Sequence, residues 1–132
     1  MGAPYPPPDC LVYPLIIPQG ADWPGCDFSI IGPDGSPYDL TGCTALGQIR
    51  PYPASGELYY TWSSNPTGGQ GLITLNVSAS TLNIRVLAVE SAVWTFTHGC
   101  YDIVLTNAAA PVGLQISRIV MGSVQVSLEV TT

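Results

Sequence analysis

Apolar positions in this chain recur every second residue over short stretches, and Gly or Pro closes almost every stretch. Leu72–Ser78 is the clearest case. Ile73, Leu75 and Val77 fall on one side, with Thr74, Asn76 and Ser78 on the other. That is the period of a strand with one buried face. The same pattern predicts strands at Leu15–Ile17, Cys26–Ile31, Cys43–Arg50, Glu57–Trp62 and Cys100–Thr106. Their inward sides are Cys26, Phe28 and Ile30; then Cys43, Ala45, Gly47 and Ile49; then Tyr101, Ile103 and Leu105. Gly113–Val130 holds two strand lengths, with a bulge or bend expected at Gly122. In its second half Val124, Val126, Leu128 and Val130 alternate with polar residues. Ala92–Thr97 reads as a short strand or an extended loop. One stretch departs from the period of two: Thr81–Glu90 places Leu82, Val86 and Val89 near one helical face behind Ser80 as a cap, and is the only predicted helix.

Turn signals lie between these stretches, at Gln19–Asp22, Trp23-Pro24-Gly25, Gly32–Pro37, Asp39-Leu40-Thr41-Gly42, Pro51–Gly56, Ser63–Gly71 and Asn107–Pro111. Seven or eight short strands without helical crossovers predict an all-β fold, an immunoglobulin-like antiparallel β-sandwich over residues 15–132. Residues 1–14 stand apart as a Pro-rich arm. Pro6-Pro7-Pro8 favours polyproline II, which has no internal hydrogen bonds. Such an arm has no expected partner within its own sheet. It reads either as a frayed terminus or as a pre-stiffened segment laid on a neighbouring subunit, anchored by Tyr5 and Tyr13.

Composition sharpens this picture. Only 9% of the 132 residues are charged, against roughly 25% in an average soluble domain. There is no Lys, and the net charge is −6. Arg50, Arg85 and Arg118 cannot make the cationic stripe that nucleic acid requires, nor a patch for an anionic membrane surface. No apolar run approaches the roughly 18 residues of a membrane span, and no cationic or apolar signal segment opens the sequence. A surface so poor in charge suits a subunit covered in an assembly, a homo-oligomer or a complex with other chains. An extracellular type of surface is the other state that tolerates it.

Candidate chemistry is sparse. Cys10, Cys26, Cys43 and Cys100 lack metal-ligand spacing, and His98 is the only histidine. Four cysteines allow two disulfides, but unpaired thiols fit better in a chain without an export signal. Asp22, Asp27, Asp34 and Asp39 lack the spacing of a calcium loop and suit turns. His98 with Asp102 nearby does not by itself make a triad, and no nucleophile elbow, phosphate loop or paired carboxylates is present. No catalytic, metal or cofactor site is therefore expected. The aromatics remain: Trp23, Tyr52, Tyr59, Tyr60 and Trp62 fall in or beside loops and on a possible edge strand. Trp62 and Tyr101 are the first expected to be buried. The candidate interface is Tyr5, Pro6, Pro7, Pro8, Tyr13, Trp23, Tyr59 and Tyr60.

Several short motifs follow in order: Gly20-Ala21-Asp22-Trp23, Asp34-Gly35, Pro37-Tyr38-Asp39-Leu40-Thr41-Gly42-Cys43-Thr44-Ala45, Gln48-Ile49-Arg50, Gly71-Leu72-Ile73-Thr74-Leu75, Tyr101-Asp102-Ile103-Val104-Leu105, Met121–Val126 and Glu129-Val130-Thr131. This order resembles small immunoglobulin-like virion proteins of tailed bacteriophages, in particular the N-terminal module of the upper baseplate protein family. The resemblance covers about residues 15–132. It implies a non-enzymatic structural subunit assembled in the host cytoplasm, joining other virion proteins at the tail or baseplate or as capsid cement. Cys43 departs from the bulky aromatic usual at that position, and the segment 80–98 is longer than the usual link. The alternative is a carbohydrate-binding module using the loop aromatics.

Overall fold

The computed structural model describes residues 10–32, 35–68, 70–108, 110 and 115–127. The chain is all-β. Nine strands, β1 (Leu11–Val12), β2 (Leu15–Pro18), β3 (Trp23–Ser29), β4 (Cys43–Arg50), β5 (Tyr60–Ser63), β6 (Gly71–Asn76), β7 (Thr81–Val86), β8 (His98–Asn107) and β9 (Ile116–Ser127), accompany one helical turn, α1 (Ala88–Ser91). They form one curled sheet in the order β1-β9-β8-β4-β5-β6-β7-β3, with β2 also on β9. The joint between its halves is short: β5 and β6 pair only at Trp62–Gly71 and Ser63–Leu72. Curling brings the two halves face to face. The Trp62 indole N–H donates to the Arg85 carbonyl at 3.0 Å, and the Tyr13 ring meets Phe28 edge-on at 5.5 Å. Between them lies the core, which includes Leu15, Ile17, Phe28, Ile49, Trp62, Ile73, Leu82, Ile84, Tyr101, Ile103, Val120 and Val124.

The sheet is mixed, not antiparallel throughout. β1 and β2 run parallel to β9, with Leu11 opposite Val120 and Leu15 opposite Val124. This corrects the expected separation of residues 1–14: the described part of that segment, 10–14, joins the chain's own sheet, with the Tyr13 N–H bonded to the Met121 carbonyl at 2.9 Å. β9 therefore has a strand on each side.

Thr81–Glu90 is not a helix. Leu82, Ile84 and Val86 are buried at every second position, and β7 pairs with both β3 and β6. Branched Thr81, Ile84 and Val86 favour the extended state, and neighbours that bury one face decide it. Ser80 is no helix cap; it sits at φ +54° in the turn after β6, where Val77 is exposed. Trp23-Pro24-Gly25 belongs to β3 as a bulge. Gly25 is at φ +88°, and a Cβ there would overlap the Ile84 carbonyl.

The described residues of Gly113–Val130 form one long strand, β9, not two; Leu128 and Val130 lie outside them. Its irregularity is at Ile119, an extra residue between the partners of Ile103 and Val104. Ile119 and Val120 are both buried, as a bulge that resets the alternation requires. Gly122 serves a different purpose: a Cβ there would overlap the Tyr13 carbonyl, so its absence lets the N-terminal segment approach β9.

Candidate functional site

The structure separates the residues expected at an interface. Tyr5, Pro6, Pro7 and Pro8 lie outside the described residues. Tyr13 is exposed beside β9, its carbonyl accepting the Tyr101 hydroxyl. Trp23 is half-buried at the start of β3, opposite Val86. Only Tyr59 and Tyr60 come together, at the head of β5, where the Tyr59 N–H bonds the Ile49 carbonyl at 2.8 Å.

The surface at that point is built by the 87–97 segment. Chain after β7 leaves the sheet at Leu87 and turns through α1. Asp22 holds the turn, its carboxylate accepting the Ala88 N–H at 2.8 Å. Buried Ser91 accepts the Gly20 N–H at 2.9 Å, and the Gln19 side-chain amide donates to the Trp94 carbonyl at 2.7 Å. Val126 N–H donates to the Thr97 carbonyl at 2.8 Å and returns the segment to β9. Held at both ends, the segment packs Phe96 against Tyr59 and Trp94 against Tyr60.

The result is a ladder of aromatic rings. Tyr59 stacks on Phe96 at 4.3 Å and 5°, Phe96 on Trp94 at 4.8 Å, and Trp94 meets Tyr60 at 4.9 Å. Trp94, Phe96 and Tyr60 are buried, and Tyr59 is half-buried. Above them opens a shallow groove of about 800 Å³, completed by Gln70 and Glu90. Its rim is aliphatic and exposed: Leu58 at 46%, Leu87 at 45%, Val89 at 74% and Val93 at 77%. One isolated exposed Val needs no explanation, but four aliphatic side chains around one aromatic floor form a patch.

A single polar pair anchors the floor. The Tyr60 hydroxyl donates to a Glu90 carboxylate oxygen at 2.9 Å. Burial holds the Tyr60 phenol protonated well above its ordinary range, and the Glu90 hydrogen bond and charge push it the same way. The Tyr60 hydroxyl is therefore not a poised acid or base near neutral pH.

Elsewhere several polar side chains are engaged structurally. Asp39 accepts the Thr41 hydroxyl at 2.7 Å and the Thr41 N–H at 3.0 Å, which lowers its pKa and makes Asp39-Leu40-Thr41-Gly42 a turn over buried Leu40. Asp27 accepts from Asn83 at 2.8 Å. Asp102 pairs with Arg118 at 3.2 Å, not with His98, whose Nδ1 lies 3.1 Å from the Thr97 hydroxyl. The four cysteines are free thiols, and burial raises the pKa of Cys26, Cys43 and Cys100. A smaller cavity of about 270 Å³ on the outer face of β4, β8 and β9 is lined by Gln48, Arg50, Cys100, Asp102, Arg118 and Met121 among others. Arg50 is tied there to the Ser55 carbonyl at 2.8 Å and to Gln48. No group of three potential metal ligands occurs among the described residues.

Sequence reasoning missed Trp94, Phe96, Leu87 and Val93. Val89 it assigned to the inner face of a helix. The available signal was the pair Trp94 and Phe96, alternating with Thr95 and Thr97 and preceded by apolar Val93. Neither a family model nor a curated protein matches this chain.

Proposed function

We propose that this chain is a non-enzymatic structural subunit of a tailed-bacteriophage particle, joining other virion proteins or copies of itself at the tail, baseplate or capsid. The observation that carries the assembly part is the groove: an aromatic floor with four exposed aliphatic side chains on a chain in which only 9% of residues are charged. Water around such a patch favours its burial against another surface, at roughly 25 cal/mol per Å² of apolar area. A second region supports it. β1 and β2 pair only with β9 among the described strands, and Val12 and Ile16 on them are exposed. Main-chain pairing with another chain is available along that free side.

The virion part rests on the motif order given above. It is supported by the strand order: β9-β8-β4-β5 facing β6-β7-β3, with β2 parallel to β9, suits an immunoglobulin-like module. A sugar platform is less well supported. Trp62 is wholly buried, and Tyr59, Phe96 and Trp94 stack on one another instead of lying side by side.

The test is the particle itself. Mass spectrometry and antibody labelling of purified phage encoding this sequence should find the chain in repeated copies on the intact particle. Its absence from particles that contain all other structural proteins would overturn the reading.

A further inference from the structure

The groove is the kind of surface that takes a proline-rich segment: aromatic rings below, aliphatic walls, and few charges. Polyproline II docks on such surfaces because its shape is preformed and its carbonyls are free. The chain carries one such segment, Pro4-Tyr5-Pro6-Pro7-Pro8, ahead of Cys10. Gln70 at the rim bears the amide donor such carbonyls need; its oxygen already accepts the Thr67 N–H at 3.1 Å.

Topology decides whose groove it is. β1 is parallel to β9, and Leu11 lies opposite Val120. The chain therefore enters β1 from the Ile116 end. The groove is toward the other end: Tyr60 pairs with Ile49, Ile49 with Tyr101, and Tyr101 with Gly122, while Thr97 bonds Val126. Its Tyr59–Tyr60 side lies across β8 and β4, about three strand spacings or ~14 Å from β9, while its Phe96 side adjoins β9 through Thr97. Pro8 is three residues before Leu11 and can span at most ~11 Å, and Pro6, five before, ~18 Å when straight. To lie along its own groove the arm would have to reverse direction directly before β1, which a stiff triple proline disfavours. A groove on a second copy carries no such constraint.

We infer that the Pro4–Pro8 segment of one copy docks in the Tyr59–Trp94–Phe96 groove of another, so that the chain self-assembles by exchanging arms. This rests on the reading of the groove as a docking surface and names its occupant. The triple variant Pro6→Ala/Pro7→Ala/Pro8→Ala removes the ligand and leaves the groove intact. The double variant Val89→Asp/Val93→Asp does the reverse at two exposed positions. Sedimentation velocity of the full-length chains at micromolar concentration should show that each variant alone loses self-association by about tenfold or more. Mixing the two should restore pairing, because one supplies the arm and the other the groove. A synthetic peptide of residues 1–9 should bind the triple-proline variant and not the double-aspartate variant. A triple-proline variant that associates like the wild type would overturn arm exchange while leaving the groove as an interface for another surface. A peptide that binds both variants equally would overturn it too. Absence of the chain from phage particles, by contrast, bears on the proposed function and not on the exchange.

Discussion

Tyr60 stands between two aromatic clusters of similar chemistry and opposite fate. On one side its ring meets Trp62 edge-on at 5.3 Å, and Trp62 in turn approaches Tyr101 at 6.4 Å. That cluster is sealed by β7 and by Gly47 and Gly71, which leave no room for a side chain against the indole. On the other side Tyr60 meets Trp94, and the ladder continues through Phe96 to half-exposed Tyr59. Both clusters bury aromatic area. Only the first is closed by the chain's own strands; the second is bounded by a loop and an exposed rim. The comparison separates aromatics that hold the fold from aromatics that shape a surface.

Removing the centre of the sealed cluster should have the largest effect. Trp62→Ala deletes a wholly buried indole and its bond to Arg85, and should destabilise by about 3–5 kcal/mol in denaturant unfolding. A much smaller loss would mean the two halves of the sheet are not packed through Trp62. Next is Gly71→Ala. Its Cβ would collide with the Trp62 ring and the Tyr60 hydroxyl, so a loss of about 1–3 kcal/mol is expected by the same measurement.

Tyr60→Phe sharpens the boundary between the clusters. It removes the hydroxyl bonded to Glu90 and should lower stability by about 1 kcal/mol near neutral pH. The pH dependence has a definite sign. Tyr60 and Tyr101 both titrate above the ordinary tyrosine range when folded, through burial first. Unfolded tyrosines release protons from about pH 10, while these two keep theirs. The unfolded state then binds fewer protons, so stability is fully present below about pH 10 and falls as pH rises further. Unfolding followed at successive pH values should show this decline, and it should be shallower in Tyr60→Phe.

How much of this was legible depended on whether burial follows a local period. Tyr101, Ile103 and Leu105 alternate inward as read, because β8 has a partner on each side and one face on the core. Phe28, Ile30, Ala45 and Ile49 are also buried as read. Thr81–Val86 was mistaken for helix because Leu82, Val86 and Val89 fit one helical face; only the pairing with β3 and β6 distinguishes that from Leu82, Ile84 and Val86 on a strand. The groove was half legible. Tyr59 and Tyr60 stood out by type, but Trp94 and Phe96 join them through long-range bonds from Gln19, Gly20 and Asp22, which no local spacing records. Gly122 was read as a bend, and its real partner, Tyr13, is over a hundred positions earlier.

The smallest effect on stability should accompany the largest on assembly. Val89 and Val93 are three-quarters exposed, so Val89→Asp/Val93→Asp should change folding stability by no more than about 0.5 kcal/mol per site. Sedimentation velocity of this double variant beside the wild type, at low salt and at roughly 1 M salt, therefore tests the central claim most directly. The wild type should sediment as an oligomer at both salt concentrations, because apolar burial and not charge holds it. The variant should be folded and monomeric. A double variant that associates like the wild type, or a wild type that stays monomeric at both salt concentrations, would contradict the account.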